Sequence, residues 1–337
     1  GVLALLLGLY APFDFLPSAT QHALGIALFA LVFWTTEPVP IELSSLWILL
    51  LLPAIGLLSF AQSFAPFASK TIWLIFAGMA LSLGLTATGL GDALALWAQN
   101  RLSKSPFLLL CQLHLVGLVA AFLIPSGVVR VLLLMPIGIA MIERMRTPPT
   151  DHIRAAILLS LLCSTYFGGC GILTGSVPNL ILAGQFERVQ QVPIYWATWL
   201  YWMFPIIGFS RVLLSLGVIW LLFGRHLHSS DIEMATTGDQ SALTGRQRRA
   251  LYILLFGVVL WSTDLFHHIQ PAYIGLGLVV LFAMPRWGPL PFAELSKVRF
   301  TFLFYIAALF TLGNALNETN FNTQFIGALS HHLDLGD

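Results

Sequence analysis

Apolar runs return almost end to end along this chain, near residues 1–16, 20–36, 42–60, 71–90, 107–125, 128–145, 153–184, 196–224, 250–266, 270–285 and 300–318. Most are long enough to cross a hydrocarbon layer as a helix, which needs about 20 residues. Only 9% of the residues are charged against 58% hydrophobic, whereas soluble domains carry roughly a quarter charged. Ten-residue segments of alternating polarity, the mark of a membrane barrel, do not occur. An unpaired peptide group is costly in lipid, so the chain is expected to be an all-α integral membrane protein, multi-pass, in the cell (inner) membrane.

The formal net charge is +1 with the basic residues scattered between spans, so nucleic acid is not an expected partner. The lipid bilayer is. Cys111, Cys163 and Cys170 lie in apolar runs without CxxC spacing, and read as packing residues rather than metal ligands. The pair His267 and His268 has no third ligand at metal-binding spacing. No paired intramembrane carboxylates and no nucleophile beside a base are evident, so no catalytic residues are expected and the chain does not read as an enzyme.

Basic residues in the linkers set the topology. Arg101 and Lys104 precede the run at 107, while Arg144, Arg146 and Arg154 follow the run ending near 145. Both flanks therefore read as cytoplasmic, and the two arms between them form a re-entrant hairpin broken at Pro125-Ser126-Gly127. Two full spans joined by an outer turn are the alternative. With the hairpin in place Arg225, Arg246, Arg248, Arg249, Arg286, Lys297 and Arg299 fall inside, and Lys70 and Arg188 outside. Arg130 and Arg211 sit within apolar runs, where a charge needs a partner or a wet cavity.

The two ends of the chain resemble each other. Trp34-Thr35-Thr36-Glu37 and Trp261-Ser262-Thr263-Asp264 are 227 residues apart, as are Ser69-Lys70 and Ser296-Lys297. Charge places Glu37 inside and Asp264 outside, so the copies are inverted, the arrangement by which secondary transporters alternate access to a midplane site. Chance likeness among apolar segments is the competing explanation. Residues 1–90 then form scaffold spans of the first copy. Residues 91–224 form a transport unit of surface helix, hairpin, broken helix and following span. A cytoplasmic linker occupies 225–249, and 250–337 hold scaffold spans of a second copy whose hairpin is expected beyond the end of this chain.

The broken helix is expected at Tyr166 to Ala183, where Gly168, Gly169, Gly171, Gly175 and Pro178 interrupt an apolar span. Carbonyls freed by such a break can hold a cation and freed N–H groups an anion. Close helix packing, as in the GxxxG spacing of Gly171 and Gly175, is the plainer use of those glycines.

At these segments the sequence resembles the divalent anion/sodium symporter family of the ion transporter superfamily. Thr36 to Phe60, TEPVPIELSSLWILLLLPAIGLLSF, is similar to that family's TEAxPLxVTALxPLxLFPLxGxxSF. Gly168 to Ile181, GGCGILTGSVPNLI, is similar to its GGxATLIGTPPNLI, and Ser126 to Pro136 stands where the family has SNTATTAMMLP. The resemblance implies an inverted-repeat secondary transporter, a homodimer, moving small divalent anions of the dicarboxylate, citrate or sulfate class. It implies a substrate site at Ser126, Gly127, Arg130, Ser176, Pro178 and Asn179, and a cation site at Ser126, Gly127, Thr174 and Gly175. No organic cofactor is implied, only Na+ or H+ as coupling ion. Gly127 replaces an Asn that supplies an oxygen ligand in the family, so weak or absent dependence on sodium is expected. A transport-inactive scaffold or a membrane enzyme is the rival reading.

Arg130 follows the hairpin tip by three residues, one turn from Gly127, and is expected to give the anion site a fixed charge; pairing elsewhere or snorkelling is the alternative. His114 reads as a satisfied histidine of the first arm, and Gly91 to Ser103 and Asn320 to His332 as surface helices.

Overall fold

The computed structural model describes residues 17–99, 103, 105–143, 145, 150–227, 242–319 and 321. The expected spans at 1–16 and the surface helix at 320–332 fall outside these, wholly or nearly so. Every regular element described is helical: α1 Ser18–Thr36, α2 Ile41–Ala54, α3 Phe60–Phe64, α4 Lys70–Thr88, α5 Leu90–Gln99, α6 Pro106–Leu123, α7 Gly127–Glu143, α8 Asp151–Cys170, α9 Val177–Gln190, α10 Trp196–Met203, α11 Arg211–Phe223, α12 Gly245–Ser262, α13 Asp264–His267, α14 Pro271–Phe282 and α15 Phe302–Glu318. A π-helical stretch, Phe204–Ser210, joins α10 to α11. Among the described residues five segments are long and apolar enough to cross a membrane, namely α1, α4, α6, α8 and the continuous run Trp196–Phe223.

Local chemistry sets the boundaries. α1 stops where Glu37 enters the left-handed region (φ 43°) ahead of Pro38 and Pro40, which cannot continue a helix. α2 ends before Gly56 (φ 74°), a conformation glycine adopts without a Cβ penalty. α12 begins at Gly245, five residues ahead of the apolar run. Thr244 and Gln247 cap each other's backbone there, which draws Arg246, Arg248 and Arg249 into the first turn.

Two compact units divide the chain, one of residues 1–72 and 299–337, the other of 73–298. In the first, α15 packs on α2 and α1, and its buried polar groups find partners. Thr311 Oγ1 donates to Ser63 O at 2.8 Å, and Ser63 Oγ donates to Leu49 O at 2.6 Å. Trp34 Nε1 donates to Ser45 Oγ at 3.1 Å, locking α1 to α2. Arg299 and Glu42 form an ion pair at 2.6 Å.

In the second unit, α4 lies on α14. A Cβ on Gly84 would stand 2.7 Å from the Phe282 ring, and one on Gly275 3.1 Å from Ala77 and Leu74. Trp261 Nε1 donates to Pro271 O at 3.2 Å, locking α12 to α14. The sequence repeat thus has a structural counterpart. Shifting by 227 residues carries α1 onto α12, α2 onto α14, and Ala65–Ala68 onto Phe292–Lys297, all with matching helix type, and α4 overlaps α15. Trp34 and Trp261 each pin the first helix of a copy to the second. The third span of each copy packs on the second span of the other.

The rest of the second unit is a bundle of α6, α7, α8 and α11 around Leu110, Leu113, Met141, Ile157 and Ile219. Gly117 lets α6 and α8 meet, because a Cβ there would stand 2.9 Å from Thr165 N. His114, 3% exposed, is satisfied between Leu110 O at 2.8 Å and Ser215 Oγ at 3.3 Å. Arg211 lays its guanidinium over the Phe167 ring, 4.5 Å from the centroid. His267 is held by Leu260 O and the N–H of Ile269.

Candidate transport site

Two breaks in the helices of the second unit build the site. The first is the hairpin tip. Ile124 turns extended after α6 (φ −114°, ψ 107°), and Pro125 has no N–H with which to continue the ladder. Ser126 restarts the chain: its Oγ accepts the N–H of Val129 at 3.4 Å and its carbonyl that of Arg130 at 3.0 Å. α6 and α7 are thus separate arms, as the sequence predicts.

The second break lies between α8 and α9, so the apolar run 153–184 is two helices. Leu173–Gly175 form a tight 3-10 turn, Ser176 is extended (φ −155°, ψ 138°), and α9 starts at Val177 with Pro178 in its first turn, where a missing N–H costs nothing. Asn179 turns its amide inward: Nδ2 donates to Gly169 O at 2.9 Å and to Ile172 O at 2.8 Å, adding to the turn bonds those carbonyls accept from the N–H groups of Ile172 and Gly175. Ser176 makes no side-chain cap on α9, and the open N–H groups of a first helical turn are suited to an anion.

Arg130 and Gly169 join the two breaks. Arg130 is only 1% exposed. Its Nη1 donates to Ile124 O at 2.7 Å, its Nε to Thr165 Oγ1 at 2.9 Å and its Nη2 to Thr165 O at 3.2 Å. A Cβ on Gly169 would stand 2.1 Å from Arg130 Nη2 and 3.1 Å from Gly175 O. The guanidinium therefore lies on glycine backbone, and Gly169 in turn lies on Gly175. Its partners are neutral oxygens, one of them the carbonyl just past the last turn of α6, where the helix dipole is negative. No carboxylate pairs with it among the described residues, so the charge stands uncompensated beside both breaks.

The glycines divide by role. Gly171 serves packing: a Cβ there would lie 2.8 Å from Gly208 Cα in the π-helical stretch. Gly168 likewise faces Leu118. Gly169 and Gly175 form the break itself, while the packing foreseen for these glycines occurs at Gly168 and Gly171. A Cβ on Gly127 would meet Arg130 Nη2 at 3.6 Å, an ordinary contact, so the tip has room for a side chain there.

Thr174 is 3% exposed, and its Oγ1 accepts the indole N–H of Trp196 at 3.1 Å. Trp196 is fully buried and lies parallel to Trp261 at 6.4 Å. The carboxylate of Asp264, at the start of α13, accepts the backbone N–H groups of Trp196 at 2.6 Å and Ala197 at 3.2 Å, capping α10. Burial raises the Asp264 carboxyl above its usual range, opposed by those two N–H groups and by His267.

Ser126, Gly127, Arg130, Gly175 and Asn179 are thus brought around one locus. Thr174 stands behind the break, turned to Trp196, and Pro178 is exposed. Gly169 was foreseen as part of the break, whereas its contact with Arg130, and the parts played by Thr165 and Trp196, were not anticipated from sequence. The spacing of Thr165 and Gly169, one helical turn apart, was the available signal.

Broken helices beside a buried cation and spans of membrane length define an all-α membrane protein. Residues 31–336 match the family model described as citrate transporter, and the chain belongs to that family. It is 26% identical over 282 residues, 79% of the chain, to the L-tartrate/succinate antiporter of Escherichia coli K12, and 27% identical over 274 residues to that of Shigella boydii. A protein of Cupriavidus necator described as a membrane protein is 24% identical over 330 residues, 90% of the chain. The chain spans 63% of the Cupriavidus protein, 56% of the Escherichia antiporter and 55% of the Shigella one.

Proposed function

We propose that this protein moves small di- or tricarboxylate anions across the bacterial inner membrane by alternating access, exchanging one anion for another rather than drawing on sodium. The observation that carries the reading is the meeting of hairpin tip and broken helix at Arg130 and Gly169. A carboxylate would sit on the open side of that junction, against Ser126, Gly127, Ser176 and the first turn of α9, with the Arg130 charge behind it. Charge–charge attraction across a few ångströms of partly dry protein is worth several kcal/mol.

Arg130 also supports exchange. Its guanidinium bonds the tip carbonyl of Ile124 and both oxygens of Thr165, the kind of oxygen cluster a sodium ion would otherwise neutralise. A side chain cannot dissociate, so the positive charge would travel with the site in every state. The relatives named antiporters agree with that coupling. Inverted copies, with α6 to α11 as the moving part and α1, α2, α12 and α14 as scaffold, and a homodimeric assembly complete the proposal.

Uptake of radiolabelled citrate, succinate, tartrate and sulfate into proteoliposomes, with and without internal anion, tests it. Uptake of a carboxylate that rises when unlabelled carboxylate is inside is the expected result. No uptake of any of the four by folded, inserted protein would leave the inactive-scaffold reading in place.

A further inference from the structure

The first turn of α12 carries Arg246, Arg248 and Arg249 with no acidic residue beside them, at the end of a helix where the dipole is already positive. Arg246 Nε donates to Pro289 O, which anchors the turn holding Arg286 and the exposed Trp287. Arg248, Arg249 and Arg286 form no ion pair with any described residue. The Arg249 Nε is moreover buried with no hydrogen-bond partner, an expensive state for a charged group's donor. Arg246, Arg248, Arg249 and Arg286 therefore lack a counter-charge among the described residues.

An apolar cavity of about 330 Å³ opens in the same unit between α5, α6 and α7, lined by Gly91, Leu94, Val119, Leu123 and Leu133 among others. No hydrogen-bonding side chain lines it, so it does not suit a carboxylate. Gln247, between the arginines in sequence, donates its Nε2 to Gly89 O at 3.2 Å. That bond ties the basic turn to the start of α5, two residues from Gly91 at the cavity wall.

We propose that these two features bind one anionic phospholipid, its headgroup phosphate on Arg248 and Arg249 and an acyl chain in the cavity beneath α5. Anionic lipid enriches the cytoplasmic leaflet, and basic residues near a membrane surface attract it. Trp287, 46% exposed, and Tyr252, 64% exposed, belong to the headgroup level, where amphipathic rings sit. The acyl chain wedges between α5 and both arms of the hairpin, so lipid composition reaches the moving part.

Native mass spectrometry of the purified protein, titrated with phosphatidylglycerol and with phosphatidylcholine of the same acyl chains, tests the site. Phosphatidylglycerol should bind at least about tenfold more tightly. Changing Arg248→Gln and Arg249→Gln together should bring the ratio near one. Filling the cavity by Val119→Phe should weaken both lipids while leaving the headgroup preference. Equal binding of the two lipids, or a preference that survives the double arginine change, overturns the proposal. Displacement of phosphatidylglycerol by millimolar inorganic phosphate would show a free-phosphate site instead and also overturn it. Val119 and Arg248 are exposed and Arg249 is half-buried, and a thermal melt of each variant checks that it remains folded.

Discussion

Asp264 and Trp196 are 68 residues apart in sequence, yet the Asp264 carboxylate accepts the backbone N–H of Trp196 at 2.6 Å. The same tryptophan reaches Thr174 with its indole. The start of α13, in the second copy, thereby holds the N-terminus of α10, and through Trp196 the break at Thr174.

Asp264→Ala should cost about 1 kcal/mol or more of stability, as loss of a helix cap does, read as a fall in the thermal midpoint of detergent-solubilised protein. Asp264→Asn keeps one acceptor and should cost less. Burial holds the Asp264 carboxyl above its usual value, so its folded form favours the proton. Its contribution to stability is therefore greatest at low pH and declines as pH rises from the ordinary carboxylate value through the raised one. Asp264→Asn should flatten that decline. An unchanged pH slope in the Asn variant would remove Asp264 from the account.

Gly169→Ala should disrupt the site, because the new Cβ would lie 2.1 Å from Arg130 Nη2. Overpacking of this kind costs roughly 1 to 3 kcal/mol. In an Arg130→Gln background the shorter side chain leaves room, and the Ala change should cost distinctly less. A double-mutant cycle on thermal stability measures the coupling, and strict additivity would sink the contact.

Arg130→Lys and Arg130→Gln should weaken citrate binding in that order, the Gln change by roughly 1 to 4 kcal/mol, the worth of charge–charge attraction at about 4 Å between watery and partly dry surroundings. Isothermal titration on the purified protein reads this. Citrate bound by the Gln variant as tightly as by the parent would remove Arg130 from the anion site and leave it a purely structural clasp of the tip.

Replacing external sodium by choline should lower the initial uptake rate by less than about tenfold, equivalent to roughly 1.4 kcal/mol in the barrier. A larger fall would show that the remaining oxygens hold sodium after all.

The hairpin predicts that both flanks of α6 and α7 face the cytoplasm. Met145 is 8% exposed, so a cysteine there would not be reached by reagent from either side. Exposed Ser105 and Thr150 are the sound probes. Single cysteines at these positions, with Cys111, Cys163 and Cys170 replaced, should react with an impermeant thiol reagent from inside only. Reaction of either from outside would mean two full spans in place of the hairpin.

Much of this architecture is legible in the sequence because membrane physics leaves few options. An apolar run of some 20 residues has one way to satisfy its backbone in lipid, and Pro125 and the cluster of Gly171, Gly175 and Pro178 mark where its helices are interrupted. The repeated Trp-Thr/Ser-Thr-acid segments likewise mark equivalent corners of the two copies. Pairings depend instead on which spans meet, and helix-forming sequence carries almost no record of that. Arg130 reads equally well as an anion ligand, a snorkelling cation or half of an ion pair. Only the packing of α8 against the hairpin, allowed by Gly117, sets Thr165 and Gly169 against its guanidinium. Asp264 similarly reads as the end of a span until α10 arrives with two N–H groups that need an acceptor. Local sequence fixes where a helix can and cannot run, whereas the partner of a buried charge is decided by long-range packing, since each unsatisfied group in a dry interior must find whatever oxygen or N–H the fold brings to it.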